Sequence, residues 1–240
     1  MPHILFISDL HLSAGHSRVI AAYERFIKCI TKETKALYIL GDLFEFWAGD
    51  DDLHDPFHTQ VISALNNIAQ KGTRIYLMRG NRDLLMGAAL AEAAGATLLD
   101  DPTLLDLYGT PTLISHGDTL CIDDIEYQNF RVLAHDAKFQ RDFLAQPLAA
   151  RKTYIEQLRM QSNTAKQNKD SATMDVNDSA VAALLRTHNY PRLIHGHTHR
   201  PNHHLHIVDG HTCDRWVLSD WDQKASALHC DAQGCRPINF

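Results

Sequence analysis

Seven side chains in this sequence have the chemistry of metal ligands. They are Asp9 and His11 in "SDLH", Asp42 in "GDLFEFW", Asn81 in "GNRD", His116 in "HGD", and His197 and His199 in "GHTHRP". Together they mix carboxylate, amide and imidazole, too many donors for one tetrahedral ion. The set suits two divalent ions sharing a bridging carboxylate, with the ions about 3.5–4 Å apart as in two-metal phosphatases and nucleases. No Cys belongs to it, which argues against a structural zinc site, and N/O ligation admits Mn, Fe, Co or Zn. Each motif alone has a plainer reading. Gly-Asp is a common turn, "GNRD" could be a turn with a helix N-cap, and 16 His in 240 residues will cluster by chance. Their coincidence at five strand ends carries the metal reading.

The elements that must position these groups alternate along the chain. "HILFI" (3–7), "ALYIL" (36–40), "RIYLM" (74–78), "TLIS" (112–115) and "RLIH" (192–195) are apolar on both faces, as strands covered on both sides are. Helical patterns lie around 18–31, 57–70 and 84–94, and the alternating runs "HLHIV" and "RWVLS" suit an antiparallel layer. This predicts an α/β sandwich with its ligands at the C-terminal ends of strands. Residues 124–188 break the rhythm. They read as helical, interrupted at Pro147, and as an insertion that divides the core into 1–123 and 189–240. Phe139, Phe143, Leu144, Tyr154 and Leu158 within it recur at helical spacing, which more often marks a core than a binding surface.

Apolar residues make up 45% and charged residues 22%, as in ordinary soluble domains. The run Ile4 to Ile7 is too short for a signal peptide and no stretch could span a bilayer, so a cytoplasmic protein is expected. Five Cys without a C-x-x-C pair read as thiols packed in the fold. A net charge of −6 leaves no global basic field, so no nucleic-acid partner is expected. Locally, Arg131 to Lys169 carries eight Lys or Arg against three acids, a net +5. "GDDD" (49–52) reads as a solvated loop rather than a third metal site, and Trp47 and Trp221 as core.

The order D-x-H, G-D, G-N-x-D, H-G-D, G-H-x-H resembles the calcineurin-like metallophosphoesterase superfamily over nearly the whole chain. That resemblance implies two mixed β-sheets flanked by helices. It implies that Asp9, His11, Asp42 and His199 hold one ion and that Asp42, Asn81, His116 and His197 hold the other. A hydroxide activated by both ions would be the nucleophile, with Asp42, Asn81, Arg82 and His116 as the catalytic set. His195 is outside the matched ligands and is expected to pack or orient. Arg82 stands where many members carry His. A guanidinium grips phosphate oxygens but is a poor proton donor, so a phosphate leaving group, as in a pyrophosphate, is favoured.

The motifs "FISDLHLS", "ALYILGDLFEFWAGDDD", "GNRDLL", "HGDTLCIDD", "MDVN", "LIHGHTHRP" and "SDWD" resemble, more narrowly, the UDP-2,3-diacylglucosamine diphosphatase family of lipid A biosynthesis, from Ile4 to about Asp222. This implies cleavage of UDP-2,3-diacylglucosamine to UMP and 2,3-diacylglucosamine 1-phosphate with Mn²⁺, on the cytoplasmic face of the inner membrane and against its anionic surface. By position, Asn81, Arg82, Asp124, Ser162, Lys166, Lys169 and His197 would contact substrate. Lys166 stands where members can have Asn, and Arg79 where His is expected. The insertion would be a cap that binds the lipid, and the protein a monomer. A soluble nucleotide-sugar pyrophosphatase or nucleotide phosphodiesterase is the alternative.

Overall fold

Strands that are apolar on both faces need cover on both faces, and this chain supplies it with two sheets packed face to face. The structure, a computed structural model, describes residues 1–167, 173–222 and 224–240, and only the backbone at 161 and 163–167. In chain order run β1 (His3–Ile7), α1 (Ser17–Cys29), β2 (Thr34–Leu40), α2 (Pro56–Gln70), β3 (Arg74–Met78), α3 (Ala88–Ala93), β4 (Ala96–Leu99), β5 (Thr103–Leu107) and β6 (Thr110–Ser115). Four helices follow: α4 (Ile125–Ala134), α5 (Ala137–Leu144), α6 (Leu148–Gln167) and α7 (Asp178–Thr187). The chain ends with β7 (Arg192–His195), β8 (Asn202–Val208), β9 (His211–Val217), β10 (Ser226–Asp231) and β11 (Gly234–Asn239).

The first sheet has the order β11-β10-β1-β2-β3-β4 and the second β5-β6-β7-β9-β8, each with parallel and antiparallel pairs. Alternation along β1 shows the layering. Phe6 points between the sheets, where it meets Tyr38, Leu40 and Met78 and, from the facing sheet, Leu107, Ile114 and Ile194. Leu5 and Ile7 point the other way, onto Tyr23 and Phe26 of α1 and Val61 and Leu65 of α2. Proline at the first position of α2, with Asp55 accepting the Phe57 N–H at 2.9 Å, fixes where that helix starts.

The five apolar runs are strands, divided between the two sheets of the expected sandwich: β1, β2 and β3 lie in the first, β6 and β7 in the second. A hydrophobic run does not encode which neighbour its strand pairs with. The helix expected over 84–94 begins only at Ala88, because the Asp50 carboxylate takes the N–H groups of Gly87 and Ala89, both at 2.9 Å, and that of Leu90 at 3.2 Å.

The stretch 124–188 occupies two environments. Among its described residues, α4 buries none and α5 buries Phe143, whereas α7 sends Val181 and Leu185 into a cluster with Leu113, Leu193, Val208 and Cys213 of the second sheet. What holds α6 is charge. Arg151, 2% exposed, donates to Ala48 O, Gln146 O and Asp51, and Lys152 Nζ lies 2.6 Å from Asp52 Oδ1. "GDDD" is therefore not a solvated loop: Asp50 caps α3, while Asp51 and Asp52 clasp α6. Asp52 tolerates burial because an ammonium reaches it. Among the described residues no helix is long and apolar enough to cross a membrane.

Leu185 and Val132 lie in the same helical stretch but should respond differently to truncation. Leu185→Ala should cost about 2–5 kcal/mol of stability, because it leaves a cavity under the second sheet. Val132→Ala, at a side chain 73% exposed, should stay within about 0.5 kcal/mol. Urea unfolding of both variants measures the difference.

Candidate metal centre

Five strands deliver their C-terminal ends to one seam between the sheets. The loops that leave them turn sharply, and five of the expected ligands adopt left-handed backbone: Asp9 (φ 54°), His11 (φ 49°), Asp42 (φ 54°), His197 (φ 69°) and His199 (φ 56°). Such a conformation costs a side-chain-bearing residue roughly 1–2 kcal/mol, and Asp and His bear it better than most. Backbone hydrogen bonds between the loops hold it, from Asp9 N–H to Gly41 O at 3.1 Å and from His11 N–H to Asp42 O at 2.9 Å. Two glycines let the loops approach this closely. A Cβ at Gly80 would collide with the Asp42 carboxylate, and one at Gly196 with Ser8 and Asp9.

Asp9, His11 and His199 bring donor atoms close enough to grip one ion, and Asp9, Asp42 and His116 form a second such group. Asp9 Oδ2 accepts from Ser8 Oγ at 2.6 Å and from the His197 N–H at 2.9 Å. Asp9 Oδ1 is buried with no hydrogen-bond partner, 3.5 Å from His199 Nε2. The Nε2 atoms of His11 and His199 face each other at 3.2 Å. A buried carboxylate oxygen left bare beside converging imidazole nitrogens is the donor set of a cation.

On the other side, Asn81 Oδ1 lies 3.1 Å from His116 Nε2 and 3.0 Å from His197 Nδ1. His116 Nδ1 donates to Leu40 O at 2.9 Å, which turns Nε2 toward the seam as the position an ion would take from a proton. Asp42 Oδ1 accepts the Arg82 N–H at 2.8 Å, while Oδ2 lies 3.9 Å from both His11 Nε2 and His116 Nε2. That oxygen faces both halves of the seam, so one carboxylate could serve two ions.

The charges explain why these groups need a cation. Burial pushes the Asp9 carboxyl up, but the nearby His199 imidazole and the charge of His116 hold it well below the usual carboxylate range. Burial works against an imidazolium at His116, yet Asp42, Asp9 and Asp118 raise it to about 10. His197, desolvated and beside His116, is lowered to about 3. A proton on His116 thus does part of the work of a metal charge. Asp83 is completely buried and pushed up to about 7 by desolvation and by Asp42. It accepts the N–H groups of Gly80, Asp42, Leu43 and Phe44, tying two ligand loops to one carboxylate.

A ring of residues surrounds this pair of sites. Glu45 lies 3.2 Å from His11 Nδ1 and 3.8 Å from Arg82 Nη1, and it pairs with Arg159 of α6. Asp118 accepts from Tyr127 Oη at 2.6 Å and Arg131 Nε at 2.7 Å, while the Tyr127 ring lies 5.5 Å from that of His197. Of the other expected substrate contacts, Asp124 caps α4 through the Tyr127 N–H at 3.1 Å, and Ser162 is exposed on α6. Lys169 and the side chain of Lys166 lie outside the described residues. His195 is buried, with Nδ1 2.9 Å from Gly196 O and Nε2 3.2 Å from Arg215 Nη1; desolvation and Arg215 lower it to about 4. Sequence reasoning did not single out Glu45, Asp83, Asp118, Tyr127 or Arg159. Only Asp83 and Asp118 had a signal, as the closing Asp of "GNRD" and of "HGD".

A sequence profile of the calcineurin-like phosphoesterase family matches residues 2–201. A UDP-2,3-diacylglucosamine hydrolase of Aromatoleum aromaticum is 52% identical over 230 residues, 96% of this chain and 94% of that one. A protein of the same name in Nitrosococcus oceani is 44% identical over 229 residues, 95% and 91% of the two chains. Among solved structures, an archaeal phosphodiesterase matches at 14% identity with a TM-score of 0.49, over 99% of both chains.

Two outcomes follow for calorimetry with divalent ions. Asp83→Asn should weaken metal binding about 10–100-fold, because an amide NH2 would face the backbone N–H groups that the carboxylate now accepts. In the unaltered protein, an ion entering beside Asn81 displaces the proton that His116 holds up to about pH 10. Binding at pH 7.5 should therefore release a proton, and apparent affinity should rise with pH.

Proposed function

The chain belongs to the calcineurin-like phosphoesterase family and is a metal-dependent hydrolase, and from that premise we propose that it cleaves the pyrophosphate bond of UDP-2,3-diacylglucosamine, giving UMP and 2,3-diacylglucosamine 1-phosphate. One observation carries this reading: identities of 52% and 44% over more than nine tenths of chains named for that substrate. In our reading Asp9, His11, Asp42 and His199 hold one ion, and Asp42, Asn81, His116 and His197 the other. Two divalent ions, proposed as Mn²⁺, would acidify an attacking water and draw charge from the phosphoryl oxygens. Arg82 grips the phosphate, and Asn81 and His197 border it. A phosphate leaving group, as a pyrophosphate supplies, departs without needing an acid, which suits a guanidinium where relatives of other specificity carry imidazole.

The helices α4 to α6 supply the support for a lipid substrate. Of the thirteen most exposed large apolar side chains among the described residues, eight lie between Ile122 and Met160, so this cap is apolar out of proportion to its length. A cavity of about 420 Å³ opens there, lined among others by Leu133, Phe139, Phe143 and Tyr154. We assign acyl-chain binding to this surface, with Asp124, Ser162, Lys166 and Lys169 as further substrate contacts. A peripheral position on the cytoplasmic face of the inner membrane is part of the proposal, because a diacylated substrate resides in a bilayer. The apolar side chains support it better than the charge does. Arg131, Arg151, Lys152 and Arg159 are spent on Asp118, Asp51, Asp52 and Glu45.

Release of UMP from UDP-2,3-diacylglucosamine by Mn²⁺-treated protein tests the assignment. Asp42→Ala should abolish turnover. Arg82→Ala should lower kcat about tenfold or more, if a charge-assisted contact of about 1.5–3 kcal/mol is lost, and Arg82→His should not restore it.

Acyl chains should matter in proportion to the area they bury. Each methylene removed should cut kcat/KM up to about fourfold, from about 0.8 kcal/mol per buried group. Equal rates on soluble nucleotide sugars would favour the alternative substrate class.

A further inference from the structure

Away from the seam, the β10–β11 hairpin sets two cysteines side by side. Cys230 and Cys235 are Cα partners across it, so their side chains share one face of the sheet. That face looks into the core between the sheets, where Cys230 is completely buried and Cys235 packs at its partly exposed margin. Opposed residues of antiparallel strands hold their Cα atoms about 4.5–5.5 Å apart, within the roughly 4.4–6.8 Å span of a disulfide.

The surroundings make the two sulfurs unequal. The Cys230 thiol donates a hydrogen bond to Cys235 Sγ, and Arg192 at the start of β7 reaches the same sulfur from the other sheet, Nη1 to Sγ 3.5 Å. No carboxylate pairs with Arg192 among the described residues, and its Nε is buried without a hydrogen-bond partner. A thiol and a guanidinium thus aim at one sulfur and favour its anion. The bond from Cys230 outweighs burial and, with Arg192, holds Cys235 below the ordinary thiol range, while Cys230 is pushed far above it. A low-pKa, partly exposed sulfur beside a buried partner is the arrangement of an oxidisable dithiol.

We propose that Cys235 and Cys230 form a reaction site for hydroperoxides, with Cys235 as the attacking thiolate and Cys230 as the resolving thiol. The Cys235 sulfur takes the terminal oxygen of the peroxide; the O–O bond breaks, and the departing alkoxide gains a proton and leaves as alcohol. Cys235 is then a sulfenic acid. Cys230 gives up its proton and attacks the Cys235 sulfur, the S–S bond forms, and hydroxide leaves with that proton as water. Two thiols are oxidised by two electrons and one peroxide is reduced by two. The hydrolytic site uses neither sulfur.

Mass mapping of the Mn²⁺-loaded full chain after a short exposure to one equivalent of hydrogen peroxide tests this on the unaltered protein. The expected product is a C-terminal peptide lighter by two hydrogens, restored by a dithiol reductant. Cys29, exposed but alone, is the internal reference and should react more slowly. Cys230→Ser should leave a sulfenic acid on Cys235 that dimedone traps. Arg192→Met should slow the reaction about threefold for each unit the thiol pKa rises, because thiolate fraction falls about tenfold while each thiolate becomes about threefold more nucleophilic. A C-terminal peptide of unchanged mass, or oxidation of Cys235 no faster than that of Cys29, overturns the proposal.

Discussion

The centre of this protein is a concentration of negative charge sealed from water. Asp9, Asp42, Asp83 and Asp118 are all buried within the loops that close the seam. Each needs compensation, since an unpaired buried carboxylate is among the costliest groups a fold can hold. The four are compensated differently. Asp83 takes four backbone N–H groups and Asp118 takes Arg131 and Tyr127, so both are satisfied by the protein itself. Asp9 and Asp42 each keep one oxygen turned toward imidazoles. Much of the architecture serves that difference: left-handed Asp and His residues at the seam, glycines at the closest approaches, and two sheets meeting where five strands end.

The same electrostatic logic attaches the cap. Among the described apolar side chains of α4 to α6 only Phe143 is buried, so packing contributes little to holding α6 in place. The acidic loop after β2 holds it instead, through Arg151 and Lys152, and Arg159 reaches further in, to Glu45. The acids sit on the core and the bases on the cap, which is why the chain is acidic overall and basic between Arg131 and Lys169.

Residue type and position in the chain made the motifs that meet at the seam legible, because Asp, Asn and His at strand ends have few other reasons to recur. The strands that carry them were legible for a similar reason, as apolar runs bounded by turn residues. What the sequence left unread depends on partners far away. Nothing near Asp51 announces Arg151, one hundred residues on. Asp83 looks like an N-cap until four backbone donors are seen to converge on it. Which sheet a strand joins, and whether α7 lies with the second sheet or with the cap, follows from pairing and packing that a one-dimensional pattern does not contain. Cys230 and Cys235 looked like unrelated packed thiols because only the hairpin register sets them opposite each other.

Glu45 has a consequence for how the two parts of the molecule communicate. One carboxylate serves His11 on the core and Arg159 on the cap, so neither interaction is independent of the other. Withdrawal of α6 would remove a guanidinium from Glu45 and leave its carboxylate to His11 Nδ1 and Arg82, altering the electron density the ring offers at Nε2. Thermodynamic reciprocity requires the reverse with the same coupling free energy: whatever strengthens the hold on His11 also changes how firmly the cap is seated. Cap placement and occupancy of the seam are, through this one side chain, two readings of a single equilibrium.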